Sequence, residues 1–124
     1  MSPIGFIGIG IMGEGMAARL ISQNIAGSKE KPLIIWNRTV EKCESLKEQF
    51  QDKEIVIKAS AKEVVESCDV TYCMLSTPQA SRIVFEGEVG VLAGVKEGKS
   101  IVDCATLAES DMRRMNEAVV KNGG

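Results

Sequence analysis

Histidine is missing from the 124 residues, which removes the commonest general base and the usual nitrogen ligands of a zinc site. No metal site is expected. No apolar run approaches ~20 residues, so nothing reads as a bilayer-spanning helix and no membrane partner is expected. The first residues carry no basic segment followed by a long apolar stretch, so no secretory signal is read there. Strong charge of one sign is also lacking: Lys and Arg total 15 against 17 Asp and Glu, a net charge of −2. That balance leaves no electrostatic footprint for nucleic acid. The four cysteines, Cys43, Cys68, Cys73 and Cys104, show no C-x-x-C spacing. Cys73 and Cys104 sit inside apolar runs, so buried, reduced thiols are expected. The expected location is cytoplasmic, or a mitochondrial or plastid matrix if a transit peptide is missing.

What is present is ordinary for a globular chain, with 44% hydrophobic and 26% charged residues. The length suits one domain, residues 1–124, with a real core. Short apolar runs alternate with segments of helical period. Strands are expected at Ile4–Ile9, Leu33–Trp36, Ile55–Ile57, Val70–Leu75 and Ser100–Cys104. Helices are expected from Met12 to Ile25, with Met12, Met16, Ala17, Leu20 and Ile21 on one face, and over the segments bearing Val40, Cys43, Leu46 and Phe50. Others follow at Ala61–Cys68, at Ala80–Phe85, and around Met112, Met115, Ala118 and Val119. A polar turn at Gly27–Pro32 ends the first helix, and Gly87–Gly98 reads as a glycine-punctuated connection. Repeated βα units imply an α/β fold, a Rossmann-like doubly wound parallel sheet with helices on both faces. Right-handed crossovers would put a ligand at the carboxyl ends of the strands.

The first strand runs into Gly8-Ile9-Gly10-Ile11-Met12-Gly13, a G-x-G-x-x-G loop followed by an amphipathic helix. Strand, glycine turn and helix N-terminus in that order seat a dinucleotide pyrophosphate. Gly8 permits the tight turn, Gly10 lets backbone N–H groups reach the phosphates, and Gly13 lets the helix approach the strand. At the end of the second strand, where an NAD-preferring domain carries an Asp or Glu, the residues are Asn37, Arg38 and Thr39. Asn37 removes a carboxylate that would repel a 2′-phosphate, Arg38 offers a planar cationic fork, and Thr39 a hydroxyl at a helix cap. This favours NADP over NAD; the alternative is a solvated Arg38 and an Asn37 that only shapes the turn. Ser76 and Thr77, after the fourth strand, either line the nicotinamide ribose or serve as turn residues. After the fifth strand, Thr106 either donates to a carboxamide or substrate oxygen or caps a helix. Asp103 is read as a structural carboxylate that holds the loop.

The opening stretch Gly5–Gly13 with Met16 and Ala17, together with Trp36-Asn37-Arg38-Thr39, Met74-Leu75-Ser76 with Pro78, and Asp103-Cys104-Ala105-Thr106, resembles the N-terminal domain of the β-hydroxyacid dehydrogenases. That family includes 3-hydroxyisobutyrate dehydrogenase and the glyoxylate/succinic semialdehyde reductases. The resemblance implies that Gly8, Gly10, Ile11 and Met12 contact pyrophosphate, and Asn37, Arg38 and Thr39 the adenosine phosphate. It places Leu75, Ser76 and Ala80 by the nicotinamide half, Thr106 at nicotinamide and substrate, and Ala105 at the substrate, where the family's D-x-S-T segment has serine. It implies an oxidoreductase that interconverts a small 3-hydroxy or 2-hydroxy acid and its semialdehyde or oxo acid, a homo-oligomer when intact. The family's catalytic lysine and helical substrate domain are expected beyond Gly124, so these residues alone are expected to be inactive. The alternative is a non-catalytic cofactor-binding or interaction module.

Overall fold

The computed structural model describes residues 3–75, 77–104 and 109–124, and of residues 78, 81 and 109–112 the backbone alone. The chain alternates β1 (Ile4–Ile7), α1 (Ile11–Ser22), β2 (Leu33–Trp36), α2 (Val40–Gln49), β3 (Ile55–Ile57), α3 (Ala61–Ser67), β4 (Val70–Cys73), α4 (Pro78–Glu86), α5 (Val91–Gly94), β5 (Ser100–Asp103) and α6 (Glu109–Lys121). All strand pairs are parallel, in the order β3-β2-β1-β4-β5. The doubly wound Rossmann-like reading therefore stands. Strand order reverses between β1 and β4, the place where a crevice opens beyond the strands' carboxyl ends.

Neighbouring strand residues point to opposite faces, and the core splits accordingly. Phe6, Leu33, Ile35 and Ile55 pack with Ala17 and Ile21 of α1 and Cys43 and Leu46 of α2. Ile7, Ile34 and Cys73 face the other way, onto Val64 and Val65 of α3, Val84 and Phe85 of α4, Val91 of α5 and Met115 of α6. Covering both faces is what lets these strands be almost wholly apolar.

Several boundaries differ from expectation for local reasons. β1 ends at Ile7 and β4 at Cys73, because the chain must leave the sheet to form the crevice loops. α1 stops at Ser22 rather than Ile25, where Asn24 adopts a left-handed φ of 59°. Asn24 N–H then donates to the Ile21 carbonyl and Ile25 N–H to the Leu20 carbonyl, a Schellman ending. α4 begins at Pro78, two residues early, because proline is tolerated at N1 and the Thr77 hydroxyl caps the helix by accepting from Ala80 N–H at 3.0 Å. The Gly87–Gly98 connection contains the one-turn helix α5. Met12 does not share the apolar face of α1: it is 65% exposed, in a first turn that extends past the ends of the strands. Val40, likewise in a first turn, is exposed.

The cysteine expectation holds for Cys43, Cys68 and Cys73, which are buried, but Cys104 is only half-buried at the end of edge strand β5. Burial pushes the Cys43 and Cys68 thiols from 9.0 up to about 11; a hydrogen bond from the Asn37 backbone opposes this at Cys43, and the Lys99 charge opposes it at Cys68. Burial, with the nearby Asp103 charge, raises the Cys73 and Cys104 thiols as well. In the unfolded chain Cys43 and Cys68 ionise near pH 9, while in the folded chain they stay protonated above it. Their contribution is complete below pH 9 and is lost as pH rises toward 11. Stability in urea is therefore expected to fall between pH 9 and 11 by up to about 1.4 kcal/mol per pH unit for each such thiol. A midpoint unchanged across that range would contradict the assignment. Native-state titration with a thiol reagent should modify Cys104 first, and the other three only on unfolding.

A half-buried lysine closes the other end of the sheet. Lys99 Nζ donates to the Cys68 carbonyl at 2.7 Å and the Glu66 carbonyl at 3.1 Å, the orphan acceptors at the C-terminus of α3, and lies 3.9 Å from Asp69 Oδ1. Its side chain is 14% exposed. Lys99→Met keeps the stem and removes the donor, and should lower unfolding free energy by about 1.5–3 kcal/mol in denaturant titration.

Candidate functional site

The crevice opens where the strand order reverses. It has a volume of about 300 Å³, within the size range of small-ligand sites, and is lined by the loops after β1, β2 and β4 and by one face of α4. From β1 come Gly8 and Gly10; from the end of β2 and the start of α2 come Trp36, Asn37, Arg38, Thr39 and Lys42. Met74 and Leu75 follow β4, and Ala80, Ile83 and Val84 belong to α4.

The three glycines of the loop divide into two kinds. Gly8 has a φ of +98°, and a Cβ there would collide with the Met74 carbonyl oxygen. A Cβ on Gly13 would collide with the Gly8 carbonyl oxygen and meet the Phe6 ring at 3.4 Å. Both are required for β1, the loop and α1 to close on one another. Gly10 differs: its φ is −83°, open to any residue, and nothing lies within 4 Å of a Cβ built there. The fold does not need glycine at Gly10, whereas a ligand pressed against the loop does. Gly10 is also the N-cap of α1 and supplies no side-chain cap. The first-turn N–H groups of Ile11, Met12 and Gly13 have no acceptor within the helix, and together with the helix dipole they form an anion site. The Ile11 side chain is 91% exposed, so what Ile11 and Met12 offer a phosphate is their backbone. An open cradle over Gly10 with unsatisfied donors beside it fits a pyrophosphate.

At the end of β2 the amide of Asn37 is turned inward. Its Oδ1 accepts from Ile9 N–H at 2.8 Å and its Nδ2 donates to the Thr39 carbonyl at 2.9 Å. Arg38 is exposed at the crevice wall. Thr39 is the N-cap of α2, as expected, yet its hydroxyl makes no capping bond. Sequence reasoning missed Lys42, one helical turn beyond Arg38 on the same wall; the i, i+4 spacing was the available signal. It also missed Trp36 and Met74, read as strand residues, and Ile83 and Val84, which fall within the helix expected at Ala80–Phe85. Among the described lining residues Arg38 and Lys42 are cationic and none is acidic. Leu75 and Ala80 both line the crevice. Thr77 acts as the cap of α4, the turn role among its two readings. Asp103, half-buried and paired in register with Cys73, raises the neighbouring thiols. Ser76, Ala105 and Thr106 lie outside the described residues.

A parallel sheet with a glycine loop at its switch point and an anion-binding helix N-terminus defines a dinucleotide-binding Rossmann domain. Residues 3–124 match the NAD binding domain of 6-phosphogluconate dehydrogenase. The chain belongs to that family of NAD(P)-binding domains. Glyoxylate/succinic semialdehyde reductase 1 of Arabidopsis thaliana is 34% identical over 121 residues, which cover 98% of this chain and 38% of that protein. Cytokine-like nuclear factor N-PAC of Homo sapiens is 32% identical over 121 residues, 98% of this chain and 20% of that protein. In fold, 3-hydroxyisobutyrate dehydrogenase of Mycobacterium tuberculosis superposes with a TM-score of 0.80 at 23% identity, over 99% of this chain and 38% of that one. The chain thus spans between a fifth and two fifths of the length of these relatives.

Gly10→Ala should leave the thermal midpoint within about 2 °C of the parent while weakening dinucleotide binding tenfold or more. Gly8→Ala and Gly13→Ala should instead lower the midpoint itself, through positive-φ strain and backbone collision. Equal thermal losses for all three would refute the division.

Proposed function

We propose that this chain is the NADP-binding part of an oxidoreductase that interconverts a small 3-hydroxy or 2-hydroxy acid and its semialdehyde or oxo acid. The observation that carries the cofactor choice is the wall after β2, where Arg38 and Lys42 stand beside the N-terminus of α2 with no carboxylate among the described lining residues. A 2′-phosphate carries the charge and acceptor oxygens that such a wall receives. The cradle over Gly10 takes the pyrophosphate, and Leu75 and Ala80 bound the far end of the crevice. When bound, the nicotinamide supplies the hydride chemistry. Within this chain, the residues bind and orient the cofactor and shield one side of it with the apolar faces of Met74, Leu75 and Ile83.

Similarity to a glyoxylate/succinic semialdehyde reductase supports short-chain aldehydes as substrates. Similarity to N-PAC, described as a nuclear factor, supports the second reading, a cofactor-binding or interaction module without turnover. Fold is neutral between them. The intact protein assayed with NADPH and glyoxylate or succinic semialdehyde separates the two, since binding without turnover favours the module.

The cofactor choice has its own test. NADPH should bind this chain more tightly than NADH in calorimetry. Lys42→Met should weaken NADPH about tenfold with little effect on NADH, the loss of one charge-assisted contact. Arg38→Asp should narrow or reverse the preference. Equal affinity for the two dinucleotides in the parent would sink the NADP assignment.

A further inference from the structure

The β1–β2 ladder ends at the pair Ile7 and Trp36. The next two amides are bonded to the end of β2 and to the residue that follows it. Gly8 N–H donates to the Trp36 carbonyl at 3.0 Å. The next amide, that of fully buried Ile9, finds no backbone partner on β2 and is met by Asn37 Oδ1 at 2.8 Å. The side-chain carbonyl takes the place of a main-chain acceptor for an amide that lies past the end of the ladder. The same carboxamide reaches the other way, Nδ2 donating to the Thr39 carbonyl at 2.9 Å. One half-buried side chain thus ties the residue before Gly10 to the N-cap residue of α2.

Those two anchor points serve different parts of a dinucleotide in the reading above, on which this inference rests. Ile9 fixes the loop that meets the pyrophosphate, and Thr39 follows Arg38 on the wall that meets the adenosine phosphate. We propose that Asn37 is a positioning residue, a brace that sets the spacing between the pyrophosphate loop and the adenosine-phosphate wall, rather than a phosphate ligand. Both dinucleotides depend on the loop, so both depend on the brace. The two halves of the amide are separable. An aspartate at this position keeps an acceptor for Ile9 N–H, but sets an oxygen against the Thr39 carbonyl and adds a negative charge beside Arg38. It spares the loop and spoils the wall.

The test compares the parent with Asn37→Ala and Asn37→Asp, titrated with NADPH and NADH by calorimetry, with exchange of the Ile9 amide followed by NMR. Asn37→Ala should weaken both dinucleotides by a similar factor, about tenfold, because the Ile9 amide loses its acceptor. Ile9 should then exchange at least tenfold faster. Asn37→Asp should retain Ile9 protection and hold NADH within about threefold of the parent while losing NADPH. Rescue of NADH and of Ile9 protection by aspartate alone is the signature of the brace. Selective loss of NADPH in Asn37→Ala, with NADH unchanged, would make Asn37 a direct phosphate ligand and overturn the proposal. So would an Ile9 amide indifferent to both substitutions. If Asn37→Ala fails to fold, the aspartate variant decides the matter through the same two readouts. A parent that binds neither dinucleotide overturns the cofactor reading itself, and the positioning role with it.

Discussion

The chain passes Gly8 with almost no clearance. One side of the residue faces the Met74 carbonyl at the end of β4, and its own carbonyl lies against Gly13 in the first turn of α1. β1 is central, with β2 on one side and β4 on the other. The loop after it must therefore turn through the gap where strand order reverses. A residue with φ of +98° makes that turn, and any side chain would strike backbone that has nowhere to move. From that passage follow the approach of α1 to the sheet, the direction of its N-terminus, and the position of the crevice. Met74 N–H donating to the Ile7 carbonyl at 2.9 Å fixes the same gap from the β4 side.

Much of this architecture is legible in the residues. Leu33–Trp36 and Ile55–Ile57 are compact apolar runs with polar boundaries, and they form strands with the expected limits. Both faces of the sheet are covered, so near-continuous apolar strands were the right signal. What was hard to read depends on chemistry that runs against periodicity. Asn24 ends α1 by a left-handed turn, although Ile25 continues the apolar pattern. Met12 has the composition of a core residue and the position of a crevice rim. Cys104 belongs to an apolar run whose strand lies at the sheet edge, and edge position is a property of topology rather than of local sequence.

The site was legible in its glycines and in Arg38 and Thr39, and less so in its supporting residues. Lys42 is one of several charges on α2, and little in its local sequence sets it apart. In the sequence Asn37 reads either as a substitution for a missing carboxylate or as a residue that shapes the turn. The geometry adds what it has: an acceptor and a donor on one rigid plane, each with a partner. A carboxylate supplies only acceptors. The identity of Asn37 therefore answers to two neighbours within the protein before any ligand arrives. Lys99 shows the same economy at the opposite end of the sheet, where one ammonium meets two helix-terminal carbonyls and lies close to a carboxylate.

These distinctions bear on how far a glycine loop testifies to function. Gly8 and Gly13 have sufficient reasons in packing, since replacing either drives a Cβ into a carbonyl oxygen of the same loop or of β4. A chain that kept this fold and bound nothing would still need them. Gly10 has no such reason, and neither do a cationic pair on one crevice wall and a Thr39 hydroxyl that makes no cap. The case for a dinucleotide thus rests on the middle glycine and the wall opposite it, features the fold tolerates but does not require. Catalysis is a separate question, because a cradle that orients a cofactor serves turnover and mere binding equally. What distinguishes the two lies in the groups that would face the nicotinamide; in the proposed reading that is the end of the crevice bounded by Met74, Leu75, Ala80 and Ile83, all apolar. Such a surface excludes water and moves no proton. In the reduction proposed above, the proton for the substrate oxygen would come from a group outside that apolar wall.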